Sequence, residues 1–75
     1  KVRNMTGGNK AALEFWNEKT QGYVREIKPD PGVTIRIMPD GQRFIYRPTS
    51  SSDGTPVVEI HGKDYFKPQK IHFVP

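Results

Sequence analysis

Apolar positions along this chain follow two different periods, and the change between them divides the sequence. Between residues 9 and 21 there is no Gly or Pro, and Ala12, Phe15, Trp16 and Lys19 recur at i, i+3, i+4 and i+7. That is the spacing of one helical face. It predicts a helix over 9–21, with Asn9 capping its first turn and Gly22 ending it in a left-handed turn. Residues 1–8 close on Thr6, Gly7 and Gly8 and read as a flexible lead-in.

Beyond the helix the period falls to two. Residues 23–28 read as a short strand or a further helical turn, because Val24 and Ile27 fall on opposite strand faces. Pro29, Asp30, Pro31 and Gly32 make a turn. Val33, Ile35 and Ile37 then alternate with Thr34 and Arg36, and Asp40-Gly41 is a hairpin signal before a return strand from Arg43 to Arg47. A two-residue loop at Asp40-Gly41 sets Ile37 opposite Phe44, Ile35 opposite Tyr46 and Thr34 opposite Arg47. Val57, Val58, Glu59, Ile60 and His61 form a third strand, and Lys70 to Val74 a fourth. A polar loop over 49–55, with serines at 50–52, and a loop over 62–67, whose Tyr65 and Phe66 can fold back on the core, join these strands.

Helix first and strands after is the α+β order. The expected fold is an N-terminal helix packed on one face of a four-stranded antiparallel sheet spanning 33–74. Phe15 and Trp16 need an apolar surface, so Ile35, Ile37, Phe44, Tyr46, Val58, Ile60, Ile71 and Phe73 are assigned to the core. Parity then collects Thr34, Arg36, Arg47, Glu59, His61, Lys70 and His72 on the opposite face.

Seventy-five residues suffice for a single domain, 1–75, with a thin stability margin. No cysteine is present, so the chain has no disulfide partner and no thiolate metal site. Two histidines alone do not build a zinc site, which wants four ligands, and Asp30, Asp40, Asp53 and Asp64 stand singly in turns. No metal or cofactor is expected. The net charge of +4 favours a polyanion weakly, since 1–30 and 31–75 each hold six Lys or Arg and four Asp or Glu. No stretch approaches the roughly 18 apolar residues of a membrane helix, and none has the order of a signal peptide. A start at Lys1 rather than Met suggests a domain excised from a longer protein.

The open face has the groups for one reaction. RNA is cut without metal when its 2′-hydroxyl attacks the adjacent phosphorus. A base takes the hydroxyl proton, an acid protonates the leaving 5′-oxygen, and cations hold the phosphate. Glu59 or His61 can serve as base and His72 as acid. Arg36 joins this catalytic set by stabilising charge on the phosphate. Arg47, Thr34, Lys70 and Ser51 are candidates for holding substrate. The plain alternative is that Arg, Glu and His on a solvated sheet face are ordinary cross-strand pairs.

The stretch from Tyr46 through Pro48, Ser51, Asp53, Gly54, Glu59 and His61, followed by Lys70, Ile71, His72 and Phe73, resembles the C-terminal toxin tips of polymorphic bacterial toxins. Contact-dependent inhibition and Rhs proteins carry such tips, and many are similar to barnase-like ribonucleases. The resemblance implies a helix followed by a four-stranded antiparallel sheet, and an RNA substrate. It also implies an acidic cognate immunity protein over the active site. A parent protein delivered outside its own cell would carry the domain into the target cytoplasm. Two other readings stand beside it. A non-catalytic nucleic-acid-binding module would expose aromatics for base stacking; Phe44 and Tyr46 read as core, which leaves Tyr23, Tyr65 and Phe66 for that role, and an exposed Tyr46 would favour it. A small structural or protein-interaction domain would scatter the same polar residues with no shared site.

Overall fold

A computed structural model describes residues 2–49, 54–62 and 68–75. Its elements are β1 (Val2–Thr6), α1 (Gly8–Lys19), β2 (Arg25–Ile27), β3 (Thr34–Ile37), β4 (Arg43–Arg47), β5 (Val57–His61) and β6 (Gln69–Val74). The class is α+β. The described residues form one six-stranded mixed sheet in the order β1-β6-β5-β4-β3-β2, not a four-stranded antiparallel one. Two strands join the sheet beyond the four expected. The presumed lead-in is β1, which pairs in parallel with β6 from Val2 opposite Lys70 to Thr6 opposite Val74. The ambiguous 23–28 stretch holds β2, antiparallel to β3. No described helix is long and apolar enough to cross a membrane.

The turn from β1 into α1 depends on glycine. Gly7 has φ 108°, and a Cβ there would lie 2.5 Å from that of Ala11. Gly7, not Asn9, holds the N-cap position, and no side chain caps the helix. Asn9 is instead one residue inside the helix, where its Oδ1 accepts from the Tyr46 hydroxyl. The helix closes at Thr20, whose N–H and hydroxyl both donate to the Trp16 carbonyl, with Gly22 left-handed just beyond at φ 84°.

Ala12 and Trp16 anchor α1 over Phe44, Tyr46, Val58, Ile71 and Phe73. Phe15 lies 5.6 Å from Phe73 and Trp16 5.7 Å from Tyr46, centroid to centroid, tilted as aromatic quadrupoles prefer. The indole N–H of Trp16 donates to the Phe44 carbonyl, so the polar edge of the core's largest ring is satisfied.

The β3–β4 register differs from expectation by one residue. The loop spans Pro39, Asp40 and Gly41: Met38 N–H donates to the Gln42 carbonyl, and Gly41 N–H donates back to Met38. Gly41 is left-handed at φ 93°, as a three-residue hairpin requires. Ile37 therefore pairs with Arg43, Arg36 with Phe44, Ile35 with Ile45 and Thr34 with Tyr46. Opposed residues share a face, so Thr34 and Arg36 lie on the helix side and Ile35 and Ile37 on the open side. Their assignments to the open face and to the core, respectively, are both reversed. β4, β5 and β6 keep the expected parity, with Phe44, Tyr46, Val58, Ile60, Ile71 and Phe73 under the helix.

Candidate functional site

The register lays the open face out as rows running across the strands. One row is Ile27, Ile35, Ile45, Glu59 and Lys70. Beside it on one side run Arg25, Ile37, Arg43 and His61, and on the other Arg47, Val57, His72 and Asn4. Ile27, Ile35, Ile37 and Ile45 form the middle of the β2–β4 part of this face, with Arg25, Arg43 and Arg47 beside them, and Glu59, His61, Lys70 and His72 gather over β5 and β6. The centre is well shielded: Val57 is 2% exposed, His72 7% and Glu59 8%.

Glu59 is the hub. Arg47 Nε donates to its Oε2 at 2.6 Å, and His61 Nε2 lies 3.3 Å from its Oε1. An ionised carboxylate only accepts, so His61 is the donor through Nε2. Burial alone would raise the Glu59 carboxyl. The hydrogen bonds from Arg47 and His61, with the charges of Arg47 and Lys70, outweigh it and hold the carboxyl below the ordinary glutamate range. On the neighbouring strand, His72 Nδ1 lies 3.1 Å from the Thr55 hydroxyl, and the Phe73 N–H donates to the Pro56 carbonyl. Together these contacts tie the start of β5 to the imidazole. No sequence signal marked Thr55, which reads as loop composition after Gly54.

Five of the eight residues expected to form a site, Arg47, Glu59, His61, Lys70 and His72, lie on this face. Arg36 and Thr34 do not. The Arg36 guanidinium sits 3.9 Å over the Trp16 ring and 4.4 Å over that of Tyr23. It donates to Glu26 at 2.9 Å, and to Asn17 and Thr20, also at 2.9 Å each. That arrangement is a post between α1 and the β2–β3 edge, on the far side of the sheet from Glu59. Ser51, the serine run, Tyr65 and Phe66 lie outside the described residues.

The depressed Glu59 carboxyl has a consequence for stability. Its contribution is fully present above the unfolded value and is lost as pH falls through the lower folded value. The wild-type urea midpoint should therefore fall as pH drops from ~5 to ~3, and Glu59→Gln should flatten part of that fall. Parallel wild-type and variant curves over this window would show that Glu59 adds nothing to acid sensitivity.

No protein-family model, curated protein or solved structure matches this chain. Among the described residues no three His, Cys, Asp or Glu side chains are grouped as metal ligands would be.

Proposed function

We propose that the domain is a metal-independent ribonuclease that cleaves RNA by 2′-hydroxyl attack, with Glu59 as base and His72 as acid. The observation that carries this reading is the shielded Glu59, held ionised by Arg47 and His61 one strand away from a second, oriented histidine. Strand spacing supports Glu59 over His61 as the base. Glu59 lies two residues along β5 from Val57, the partner of His72, so their Cα atoms are about 8 Å apart. His61 lies four residues along, about 14 Å from His72. Only the nearer pair spans a single phosphodiester.

In this mechanism the 2′-hydroxyl proton passes to Glu59 as the 2′-oxygen bonds to phosphorus. The phosphorus–5′-oxygen bond breaks, and protonated His72 delivers its proton to the leaving oxygen. The products are a 2′,3′-cyclic phosphate and a 5′-hydroxyl. Arg47, with a 40% exposed side chain, and Lys70 supply positive charge to the phosphate. His61 keeps Glu59 ionised, so its loss weakens the reaction less than loss of either proton-transfer group.

The base-binding alternative gains no support from the described strands. Phe44 and Tyr46 are each 7% exposed beneath the helix, and no Phe, Tyr or Trp of the described strands lies on the open face. The resemblance to polymorphic toxin tips adds the biological setting. Under it, an acidic immunity protein covers the basic open face, and a larger exported protein delivers the domain to a target cytoplasm.

Total RNA incubated in EDTA tests the reading. The domain should produce cyclic phosphate ends, and Glu59→Gln and His72→Ala should each slow cleavage by ~10²–10⁴-fold. His61→Ala should cost less. Cleavage undiminished in folded Glu59→Gln and His72→Ala would remove these residues from the mechanism. No cleavage of any RNA by the wild type, with or without magnesium, would overturn the function.

A further inference from the structure

The two edges of the sheet, β1 and β2, are not alike. Four large apolar side chains of the described residues are exposed: Met5 on β1, and Tyr23, Val24 and Ile27 on or beside β2. Tyr23 carries the Arg36 guanidinium on its ring. Val24, 65% exposed, and Ile27 bracket Arg25 and Glu26 on the edge itself. Glu26 is already bound by Arg36. The charges left facing outward are Arg25 and Lys28, both exposed, and Arg43 lies two strands inward in the same row as Arg25.

A sheet edge presents backbone donors and acceptors to whatever strand its side chains admit. A second copy of this chain fits poorly. Opposed residues of an antiparallel pair share a face, so two symmetric β2 edges must centre on one residue facing itself. Centring on Arg25 opposes two arginines, and centring on Glu26 opposes two glutamates. Centring on Ile27 sets Glu26, already held by Arg36, opposite Lys28, but it opposes Arg25 to Pro29, which has no N–H to donate.

We propose that the β2 edge is a docking strand for an extended segment of a partner protein, added antiparallel and reading acidic–apolar–polar–acidic–apolar from its N-terminus. Acidic positions face Lys28 and Arg25, apolar positions face Ile27 and Val24, and the polar position faces the satisfied Glu26. The residue opposite Ile27 extends the apolar row of Ile27, Ile35 and Ile45 across the open face. The short strand and its two cations discourage indiscriminate pairing, and the same cations select an acidic segment. This surface uses neither Glu59 nor the histidines and does not rest on the ribonuclease reading.

The test uses the 75-residue chain and a capped peptide containing Glu-Val-Thr-Glu-Val. Backbone amide shifts and slowed amide exchange should appear at residues 24–28 at millimolar peptide. A Lys-Val-Thr-Lys-Val peptide should bind about tenfold more weakly, and Arg25→Glu/Lys28→Glu should reverse the preference. Both substituted positions are exposed, so the variant should fold. Absence of shifts, equal binding of the two peptides, or shifts centred on β1 or Glu59 would overturn the proposal. So would a dimer in sedimentation that protects β2 without any peptide.

Discussion

Replacing Phe73 with alanine is expected to lower the unfolding free energy by about 3–5 kcal/mol. Phe73 is completely buried, packs against Phe15, and belongs to the cluster of Ala12, Trp16, Phe44, Tyr46, Val58 and Ile71. Removing its ring forfeits the transfer of a large apolar surface and leaves a cavity that a single helix on a sheet closes poorly. For 75 residues the whole stability is only about 4–11 kcal/mol. The variant should therefore be marginally folded at room temperature. Urea unfolding followed through Trp16, the one tryptophan and itself buried, reports the change. Ile71→Val, which removes one methyl from the same strand, should cost about 0.5–1.5 kcal/mol. A Phe73→Ala midpoint within the range of Ile71→Val would mean that the sheet face under α1 is not the principal core.

Arg36→Ala should be the most damaging change at a charged position, by about 2–4 kcal/mol. The side chain does the work of a core residue. Its guanidinium fills the space between Trp16 and Tyr23, and its N–H groups satisfy Glu26, Asn17 and the fully buried Thr20. Arg36→Lys should recover less than half of the loss, because an ammonium neither stacks between two rings nor reaches three acceptors in a plane. Arg47→Ala makes the informative contrast. The Arg47 side chain is 40% exposed and holds only Glu59 among the described contacts, so under the proposed ribonuclease reading its loss should affect RNA cleavage far more than the urea midpoint. Arg36→Ala should do the opposite, with cleavage per folded molecule near wild type. An Arg36→Ala chain as stable as wild type would contradict the role of this post.

That contrast also marks where the sequence was readable. The α+β class, the helix, and the parity of β4, β5 and β6 follow from local alternation. The gathering of Arg47, Glu59, His61, Lys70 and His72 follows from that parity. The error at β3 came from one residue of loop length. Asp40-Gly41 suits a two-residue turn, but Pro39 also fits in the loop, with Gly41 in the left-handed position. Local turn chemistry allows both loops. The choice lies in tertiary contacts, because only the longer loop puts Arg36 over Trp16 and Tyr23. An arginine that stacks on aromatics has the same sequence signature as one that faces water. β1 was unreadable for a related reason. Its polar sequence is admitted to the sheet by parallel pairing with residues some seventy positions away, and nothing within the strand announces that partner.

The pairing of the first strand with the last has a mechanical consequence. β1 and β6 run side by side in the same direction, so the chain enters at one end of this ladder and leaves at the other. Tension applied through the two flanks slides the strands along each other. It loads the ladder from Val2–Lys70 to Thr6–Val74 in shear, all at once, rather than peeling it open one bond at a time. To be drawn out from either end, as through a narrow pore, the domain must yield that whole seam together.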